Sequence, residues 1–188
     1  MRKLVITQNM TADGRVEMLD DWFDPQAQSE DLQEELRRQD DDCDAVMLGR
    51  RTFEDFRGYW PDNTEDTTGA SDFLNATQKY VVSSTLTDPR WANSDVLSGD
   101  WLTRVRELKA RDGGDIDGGD IVVTGSITLC HALIDAGLVD EYRLLVYPVV
   151  QARGRMLFPS SGVPLRLLET RAFGTGVALL RYAGLTAT

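Results

Sequence analysis

The sequence is poor in the residues that bind metals or form nucleophilic triads. It contains one histidine, His131, and two cysteines, Cys43 and Cys130, which lie far apart in the chain. A structural zinc site needs about four such ligands, and a serine triad needs a histidine beside its nucleophile. The composition therefore disfavours zinc sites, two-histidine metal centres and most triad chemistry. No metal is predicted, and we interpret His131 as an ordinary helix residue.

Basic residues are also scarce. The chain has 20 Lys and Arg against 31 Asp and Glu, a formal net charge of −11 at pH 7. Such a surface repels phosphate backbones, which disfavours general nucleic-acid binding. Only 3 of the basic residues are lysines, so a phosphate ligand would have to be held locally by Arg and backbone amides. The acidic excess is typical of a salt-adapted host, but genomic base composition explains it equally well.

Long hydrophobic runs are absent. The apolar stretch Leu144–Val150 is far too short to span a bilayer. At the N-terminus, Val5 and Ile6 are followed at once by polar residues, so no signal peptide is predicted. Apolar residues still make up 41% of the 188 residues, enough for a sizeable core. We expect a cytoplasmic protein with one domain over residues 1–188 and no membrane association.

Short apolar strands alternate with helices along the chain. The predicted strands are Arg2–Gln8, Ala45–Leu48, Lys79–Ser83, Asp95–Ser98, Ile121–Thr124, Glu141–Val150, Leu165–Arg171 and Gly176–Tyr182. Helices are predicted over about Pro25–Gln39, from Thr52, over Ser71–Ala76 and Trp101–Arg111, and from Gly125 through Ala136. Arg15–Met18 is predicted as a short strand, Asp40–Asp42 as a solvated loop and Asp112–Asp120 as a connector. This order favours an α/β fold whose mostly parallel sheet ends in antiparallel strands.

Small polar residues follow three of the predicted strands. They are Gly49, Arg50, Arg51 and Thr52, then Ser83 and Ser84, then Thr124, Gly125 and Ser126. The carboxyl ends of parallel strands line one crevice, where helix N-termini present free amides to an anion. Each junction alone is also ordinary capping chemistry. Together they predict a site for a phosphate-rich cofactor, although neither GxxxxGK[ST] nor GxGxxG is present.

Several motifs together resemble a known family. They are Thr11-Ala12-Asp13-Gly14, Leu48-Gly49-Arg50-Arg51-Thr52-Phe53-Glu54, Lys79-Tyr80-Val81-Val82-Ser83, Val123-Thr124-Gly125-Ser126, Gly137-Leu138-Val139-Asp140-Glu141, Pro148-Val149-Val150 and Leu157-Phe158-Pro159. In this order they resemble the dihydrofolate-reductase-like family, most closely the RibD C-terminal branch of riboflavin biosynthesis. The resemblance spans nearly the whole chain. It implies a three-layer α/β/α sandwich, a homodimer and a reductase that uses NADPH.

The resemblance also implies roles for individual residues. Arg50, Arg51 and Thr52 would meet the cofactor phosphates, Ser83 and Ser84 would lie by the 2′-phosphate, and Gly125 and Ser126 would touch the pyrophosphate. The loop 9–22 would cover the nicotinamide. An acid near the pocket would deliver a proton, either Asp31 or Asp13, or else an ordered water. Both carboxylates also have a plain interpretation, Asp31 on a solvated helix face and Asp13 in a turn.

These observations favour an oxidoreductase that passes hydride from NADPH to a C=N or C=O bond of a flat heterocycle, such as a pterin or pyrimidine. Riboflavin synthesis is less expected because no deaminase segment with zinc ligands accompanies the domain. Folate reduction is less expected because no motif marks the acid that binds a pterin. Two alternatives stay open, namely a nucleotide-binding module with little turnover and a structural dimerising domain.

Overall fold

The computed structural model describes residues 1–24, 27–110, 119–158 and 162–185. The strands are β1 (Leu4–Thr11), β2 (Cys43–Gly49), β3 (Gln78–Val82), β4 (Ser94–Leu97), β5 (Asp120–Gly125), β6 (Glu141–Tyr147), β7 (Leu165–Ala172) and β8 (Ala178–Gly184). The helices are α1 (Glu30–Asp41), α2 (Arg50–Tyr59), α3 (Ala70–Ala76), α4 (Trp101–Ala110) and α5 (Ile127–Asp135). All eight strands form one sheet, in the order β4-β3-β2-β5-β1-β6-β8-β7.

The sheet is mostly parallel and ends in an antiparallel edge. Strands β4, β3, β2, β5, β1 and β6 pair in parallel. Strand β8 pairs antiparallel with β6, and β7 with β8. The predicted α/β fold, a three-layer α/β/α sandwich with antiparallel C-terminal strands, is confirmed.

Helices cover both faces of the sheet because adjacent strand residues point to opposite sides. On one face, Leu133 of α5 and Val105 of α4 pack in a cluster with Ile6 and Val123. The other face carries two separate clusters. The first joins α1 to β6 and β8 and contains Leu32, Leu145, Tyr147, Phe173, Val177 and Leu179. The second joins α2 and α3 to β2 and β3 and contains Val46, Leu48, Phe53, Leu74, Val81 and Trp91.

The two central strands lie between these last two clusters. Val46, Val122, Val5 and Glu141 form one row across β2, β5, β1 and β6. Side chains in such a row share a face, and Leu145, four residues after Glu141, shares it as well. The helices of the two clusters therefore stand over β6–β8 and over β2–β3. The strands β1 and β5 between them form the floor of a cleft.

Several boundaries differ from the sequence predictions. Asp40 and Asp41 belong to the last turn of α1 instead of a loop, because Leu36 and Gln39 continue the buried face of that helix. Arg15 makes a single bridge with Met156 where a strand was predicted. Helix α2 begins at Arg50, two residues before the predicted start at Thr52. The predicted start of α1 at Pro25, most of the connector 112–120 and Pro159 lie outside the described residues.

Among the residues that the structure describes, no helix is both long and apolar enough to cross a membrane.

Candidate functional site

The cleft over β1 and β5 encloses a cavity of about 280 Å³, here called the central cavity. Its floor comes from alternate residues of the central strands, Thr7 and Asn9 of β1 and Val122 and Thr124 of β5. These four side chains are small or polar, and the large apolar clusters of this face lie on either side of them. The other lining residues are Phe23, Gln28, Leu36, Gln39, Asp40, Cys43, Val46, Phe56, Trp60, Thr68, Ala70, Phe73, Leu74, Arg143, Leu145 and Tyr147.

Aromatic rings form the side walls of the central cavity. Phe56 and Trp60 belong to α2, and their rings meet edge to face with centroids 6.4 Å apart. On the α1 side, Tyr147 lies 5.3 Å from the Trp22 ring and 5.8 Å from the Phe23 ring. Such walls favour a flat, aromatic ligand, because stacked and edge-to-face contacts stabilise ring pairs beyond the area that they bury.

Polar groups gather where α1 ends over the cavity. Asp40 is half-buried, and this burial, together with the neighbouring Asp41 carboxylate, raises the pKa of Asp40 to about 6. Arg143 projects from β6 and donates to Glu141 and to Asp120, at 2.9 and 2.5 Å. The cavity therefore combines apolar walls with a carboxyl group that titrates near neutral pH and a buried guanidinium.

Two glycine junctions meet beside the cavity. A Cβ placed on Gly49, at the end of β2, would lie 2.4 Å from Oγ of Ser126, at the start of α5. A Cβ on Gly125 would lie 3.0 Å from Oγ1 of Thr52 in α2, and Gly125 has a φ of +149°. Only glycine allows this close approach. The first turns of α2 and α5 thus come together beside Thr124, which lines the cavity.

A second depression, of about 550 Å³, lies at the ends of β3 and β4. Arg50, Ser83 and Ser84 line it together, as the junction pattern predicted. The Arg50 guanidinium also pairs with Glu54 at 2.9 Å. Arg51 is exposed in the first turn of α2 and lies outside this lining. The structure therefore brings Arg50 to the two serines and leaves Arg51 facing outward.

The predicted proton donors bind backbone amides and do not line the central cavity. Asp13 accepts from the Thr11 hydroxyl and from the amides of Gln151 and Ala152, and these hydrogen bonds lower its pKa to about 2. Asp31 accepts from the amide of Leu32 and, at 3.1 Å, from that of Gly174 in the β7–β8 connection. The Ser29 hydroxyl and these amides lower the pKa of Asp31. Both carboxylates stay ionised at neutral pH.

Gln151 is one of several side chains that hold the loop after β1 against the β6–β7 connection, where Arg15 and Glu17 also bond to Gly154 and Arg155. Its Oε1 accepts from Nε1 of Trp22 at 2.9 Å and from the amide of Leu19 at 3.3 Å. Its Nε2 donates to the carbonyls of Glu17 and Arg153, at 3.0 and 2.8 Å. Gln151 thereby fixes the segment that carries Trp22 to the cavity wall.

The sequence predictions missed Asp40, Gln39, Arg143 and Gln151. For Arg143 a signal existed, since an arginine amid the apolar residues of β6 must be buried and paired. For Asp40 the sequence offers no clear signal, because it belongs to a run of three aspartates. Which of the three carboxylates turns inward depends on where α1 ends. Within the described ranges, no cluster of three or more His, Cys, Asp or Glu side chains could hold a metal ion.

The sheet order and the cleft over its central strands define a dihydrofolate-reductase-like α/β domain. The RibD C-terminal domain family matches residues 2–179, and the chain belongs to that family. Among curated proteins, it is 29% identical to the uncharacterized protein YyaP of Bacillus subtilis strain 168, over 96% of this chain and 94% of that protein.

Solved structures share the fold at low identity. A putative riboflavin biosynthesis protein from Shewanella sp. PV-4 superposes with a TM-score of 0.72 at 13% identity, covering 98% of this chain and 99% of that one. Dihydrofolate reductase from Enterococcus faecalis, solved with NADP(H) and RAB-propyl, superposes with a TM-score of 0.60 at 16% identity, covering 97% and 96%. The predicted family resemblance is confirmed.

Proposed function

We propose that this protein is an NADPH-dependent reductase of a flat heterocycle, a pyrimidine or a pterin. One observation carries the proposal: an aromatic-walled cavity opens directly beside the glycine junction of α2 and α5. A reductase needs this adjacency, because the cofactor ring and the substrate ring must lie face to face. The family membership and the folds of its relatives support the same conclusion.

The junction residues suit a dinucleotide phosphate. Gly49 and Gly125 let the first turns of α2 and α5 approach each other closely, which brings the N-termini of both helices to one place. Ser126 caps α5, accepting from the amide of Leu129, and the first amides of a helix, which have no partner within it, can bind an anion. Arg50 and the serines of the second depression supply cationic and hydroxyl donors for a 2′-phosphate. In this proposal Thr52 and Arg51 complete the phosphate side, and Thr124, which lines the cavity, lies at the edge of the cofactor and substrate rings.

The central cavity suits a small ring. Its volume of about 280 Å³ is at the lower end of the range for ligand pockets, roughly 300–1,000 Å³. Tyr147 and Trp60 stand on opposite sides of the space, so that a planar heterocycle would contact aromatic groups on both sides. A pyrimidine or a pteridine has the required shape.

Bound NADPH would supply a hydride to carbon, and the N or O atom of the reduced bond then needs a proton. Asp40 is the titratable carboxyl in the cavity lining whose pKa, about 6, is raised by burial. A carboxyl group with such a pKa can donate a proton near neutral pH, whereas Asp13 and Asp31 hold their charge. We therefore assign proton delivery to Asp40.

Calorimetric titration of NADPH and NADH tests the cofactor assignment. We expect NADPH to bind more tightly than NADH. Arg50→Ala should weaken the binding of NADPH by roughly 10- to 100-fold, because one charge-assisted hydrogen bond is lost, and should change the binding of NADH little. Arg37→Ala, which removes an exposed arginine from α1, is the charge-matched control. Equal affinity for both nucleotides, or no change after removal of Arg50 and Arg51 together, would contradict the assignment.

Oxidation of NADPH in the presence of pyrimidines and pterins tests the reductase assignment. Turnover with a member of either class is the expected result. Binding without turnover across both classes would instead indicate a nucleotide-binding module. If neither nucleotide binds, the result would indicate a structural domain. Both cysteines are free thiols, which suits the reducing cytoplasm that we propose as the compartment.

A further inference from the structure

The floor of the central cavity carries polar side chains that have neither a charge nor a partner. Asn9, Thr7 and Thr124 line the cavity and are half-buried. Their side chains make no hydrogen bond to other described residues, and their polar atoms are not sealed from solvent. The Asn9 carboxamide has two donor hydrogens and an acceptor oxygen, more than either hydroxyl. Asn9 is therefore the floor residue with the largest unused capacity to bind a polar group of a ligand.

The cations around the cavity are already neutralised. Arg143 is the basic residue in the lining, and its guanidinium lies 2.5 Å from Asp120 and 2.9 Å from Glu141. Arg37 is exposed on α1, and the carboxylates of Glu34 and Asp41, three residues before it and four after it, are its neighbours on the helix surface. The arginines behind the lining are paired as well, Arg181 with Glu141 and Glu169, and Arg38 and Arg171 with Glu35.

Two carboxyl groups at the cavity have no cationic partner among the described residues. Asp40 lines the cavity at the end of α1, beside the exposed Asp41. Asp66 lies in the connection between α2 and α3, and its partners are hydroxyl and amide groups. It accepts from the hydroxyl and the amide of Thr68, a lining residue, at 2.6 and 2.8 Å. The charge that remains unneutralised at the cavity is therefore negative, and it comes from two different elements.

These charges decide which substituents a ring in the cavity can carry. A phosphate or carboxylate would lose hydration there and would face the carboxylates of Asp40 and Asp66, and like charges repel more strongly in such a site than in water. Toward the α2–α5 junction, Arg50 and Arg51 serve the cofactor phosphates in the proposed function. A hydroxyl group avoids this repulsion, and an ammonium group is attracted.

We propose that the central cavity selects a heterocycle without a phosphate or a carboxylate, and that hydrogen bonds to Asn9 hold this uncharged ring. The inference rests on the proposed function, because it names the substrate class of that reductase. A ring that bears a sugar phosphate is rejected, whereas a ring that bears a hydroxyl or an amine is accepted.

Calorimetric titration with two matched series of ligands tests the charge preference without turnover. One series is 5-carboxyuracil, 5-hydroxymethyluracil and 5-aminomethyluracil, and the other is the three corresponding 6-substituted pterins. Within a series the ring is constant, and at about pH 7.5 the substituent is an anion, a neutral group or a cation. In the series that binds, the carboxylate should bind at least roughly 10-fold more weakly than the hydroxymethyl compound, and the amine at least as tightly as it. Added salt should reduce the difference.

Variants of the carboxylates test whether these groups cause the preference. Asp66→Asn and Asp41→Asn should each narrow the ratio of the hydroxymethyl and carboxylate affinities by roughly 2- to 5-fold. Asp95→Asn changes the net charge equally at an exposed position of β4 outside the lining, and should leave the ratio unchanged. If Asp66→Asn fails to fold, as judged by circular dichroism, the comparison of Asp41→Asn with Asp95→Asn still decides the outcome.

Asn9→Leu tests the hydrogen bonds to the ring. It removes the carboxamide at similar size and should weaken the hydroxymethyl compound by roughly 10-fold. Gln8→Leu is the matched control, because it removes a carboxamide from the adjacent residue of β1, which points to the opposite face of the sheet. Equal losses in these two variants, a carboxylate that binds as tightly as the hydroxymethyl compound, an unchanged ratio in Asp41→Asn, or no binding in either series would each overturn the inference.

The same preparations separate this inference from the proposed function. NADPH binding together with turnover of a phosphorylated or carboxylated ring would overturn the charge preference and leave the reductase assignment intact. A wild type that binds neither nucleotide would overturn the reductase assignment, whereas the ligand ratios are measured without NADPH and do not depend on it.

Discussion

Asp40 acquires its chemistry from its position in the last turn of α1. Its neighbours Asp41 and Asp42 are exposed, whereas Asp40 turns toward the central cavity, where burial raises its pKa to about 6. Asp13 and Asp31 have the same side chain and a lowered pKa, because hydroxyl and amide groups donate to them. Whether a carboxyl holds a proton near neutral pH thus depends on its surroundings, not on the residue type.

Substitution of Asp40 should remove proton delivery. A general acid acts in its protonated form, so wild-type turnover should fall as the pH rises through about 6. Asp40→Asn should lower turnover at about pH 6 by roughly 100-fold or more and abolish this decline. Steady-state rates across the pH range measure both effects, with Asp31→Asn as the control. A variant that keeps the wild-type pH profile would rule out Asp40 as the acid.

Lys79 is a buried charge that should affect stability at alkaline pH. It is 0% exposed, its Nζ donates to the carbonyls of Leu74 and Thr77 at 2.6 and 2.7 Å, and it lies 4.6 Å from the centre of the Trp91 ring. Burial lowers its pKa from 10.5 to about 8. Between these values the unfolded chain holds the proton more often than the folded one. The free energy of unfolding therefore gains a contribution that rises with pH over this interval.

Denaturant unfolding of wild type and Lys79→Met between about pH 7 and pH 10.5 measures this contribution. The penalty for the buried ammonium is fully present below about pH 8 and is relieved as the pH rises. The stability difference between the two proteins should therefore change in favour of the wild type with increasing pH. A difference that stays constant over this range would show that Lys79 titrates as an exposed lysine does.

At the scale of elements, the close contact of two strand–helix junctions shapes the proposed cofactor site. Gly49→Ala would place a Cβ 2.4 Å from Oγ and 3.2 Å from N of Ser126. We expect a loss of about 1–3 kcal/mol in the free energy of unfolding, together with weaker NADPH binding as α5 is displaced. Chemical denaturation and calorimetry measure the two effects.

Gly58→Ala, in the helix α2 that follows Gly49, is the matched control. A Cβ at Gly58 meets nothing within 4 Å, so this substitution should stabilise the protein by about 0.5–1 kcal/mol. Unchanged stability and NADPH affinity in Gly49→Ala would mean that the junction has more room than its geometry indicates.

The loop after β1 should open when its anchor is removed. Gln151→Ala deletes the three hydrogen bonds that its side chain makes to Leu19, Trp22 and Glu17. Each is worth about 1 kcal/mol, so exchange of the Leu19 amide with solvent should rise at least roughly 10-fold. Hydrogen exchange read by mass spectrometry or NMR measures this. Gln33→Ala is the control, and equal protection in both variants would mean that other contacts hold the loop.

At the scale of the whole molecule, β7 forms one edge of the sheet and, among the residues that the structure describes, pairs only with β8. Leu167 and Leu168 of this strand are 52% and 41% exposed. Edge strands with exposed apolar residues tend to pair with another chain. We therefore predict a homodimer in which β7 is covered by its partner.

Light scattering measures the assembly directly. The wild type should have about twice the 21.0 kDa mass of the chain, and Leu168→Lys should shift it to the monomer, because a buried lysine at the interface costs more than the leucine contact contributes. Tyr59→Lys, at an exposed position of α2, should remain dimeric. A wild-type mass of 21 kDa across micromolar concentrations would contradict the dimer.

The order of helices and strands could be predicted from the sequence because it depends on local patterns. Short apolar segments such as Ile121–Thr124 and turn residues such as Gly137 act over a few neighbours. The same holds for the glycines and hydroxyls at strand ends, since the carboxyl ends of parallel strands necessarily share one edge. The prediction that the three junctions lie along one crevice follows from this rule, whereas the close contact of the Gly49 and Gly125 junctions was found in the structure. The family motifs supported the same fold.

The lining of the central cavity and the position of the loop after β1 depend on tertiary contacts between residues distant in sequence. Gln151 reaches Trp22 across 129 positions, and Arg143 reaches Asp120 across 23. No local pattern encodes such pairs, because burial and partner choice are decided only when the helices pack on the sheet. The sequence by itself therefore determined the fold and the edge of the sheet at which the glycine and hydroxyl junctions lie. Which carboxyl is buried was decided by the way α1 packs over the central strands.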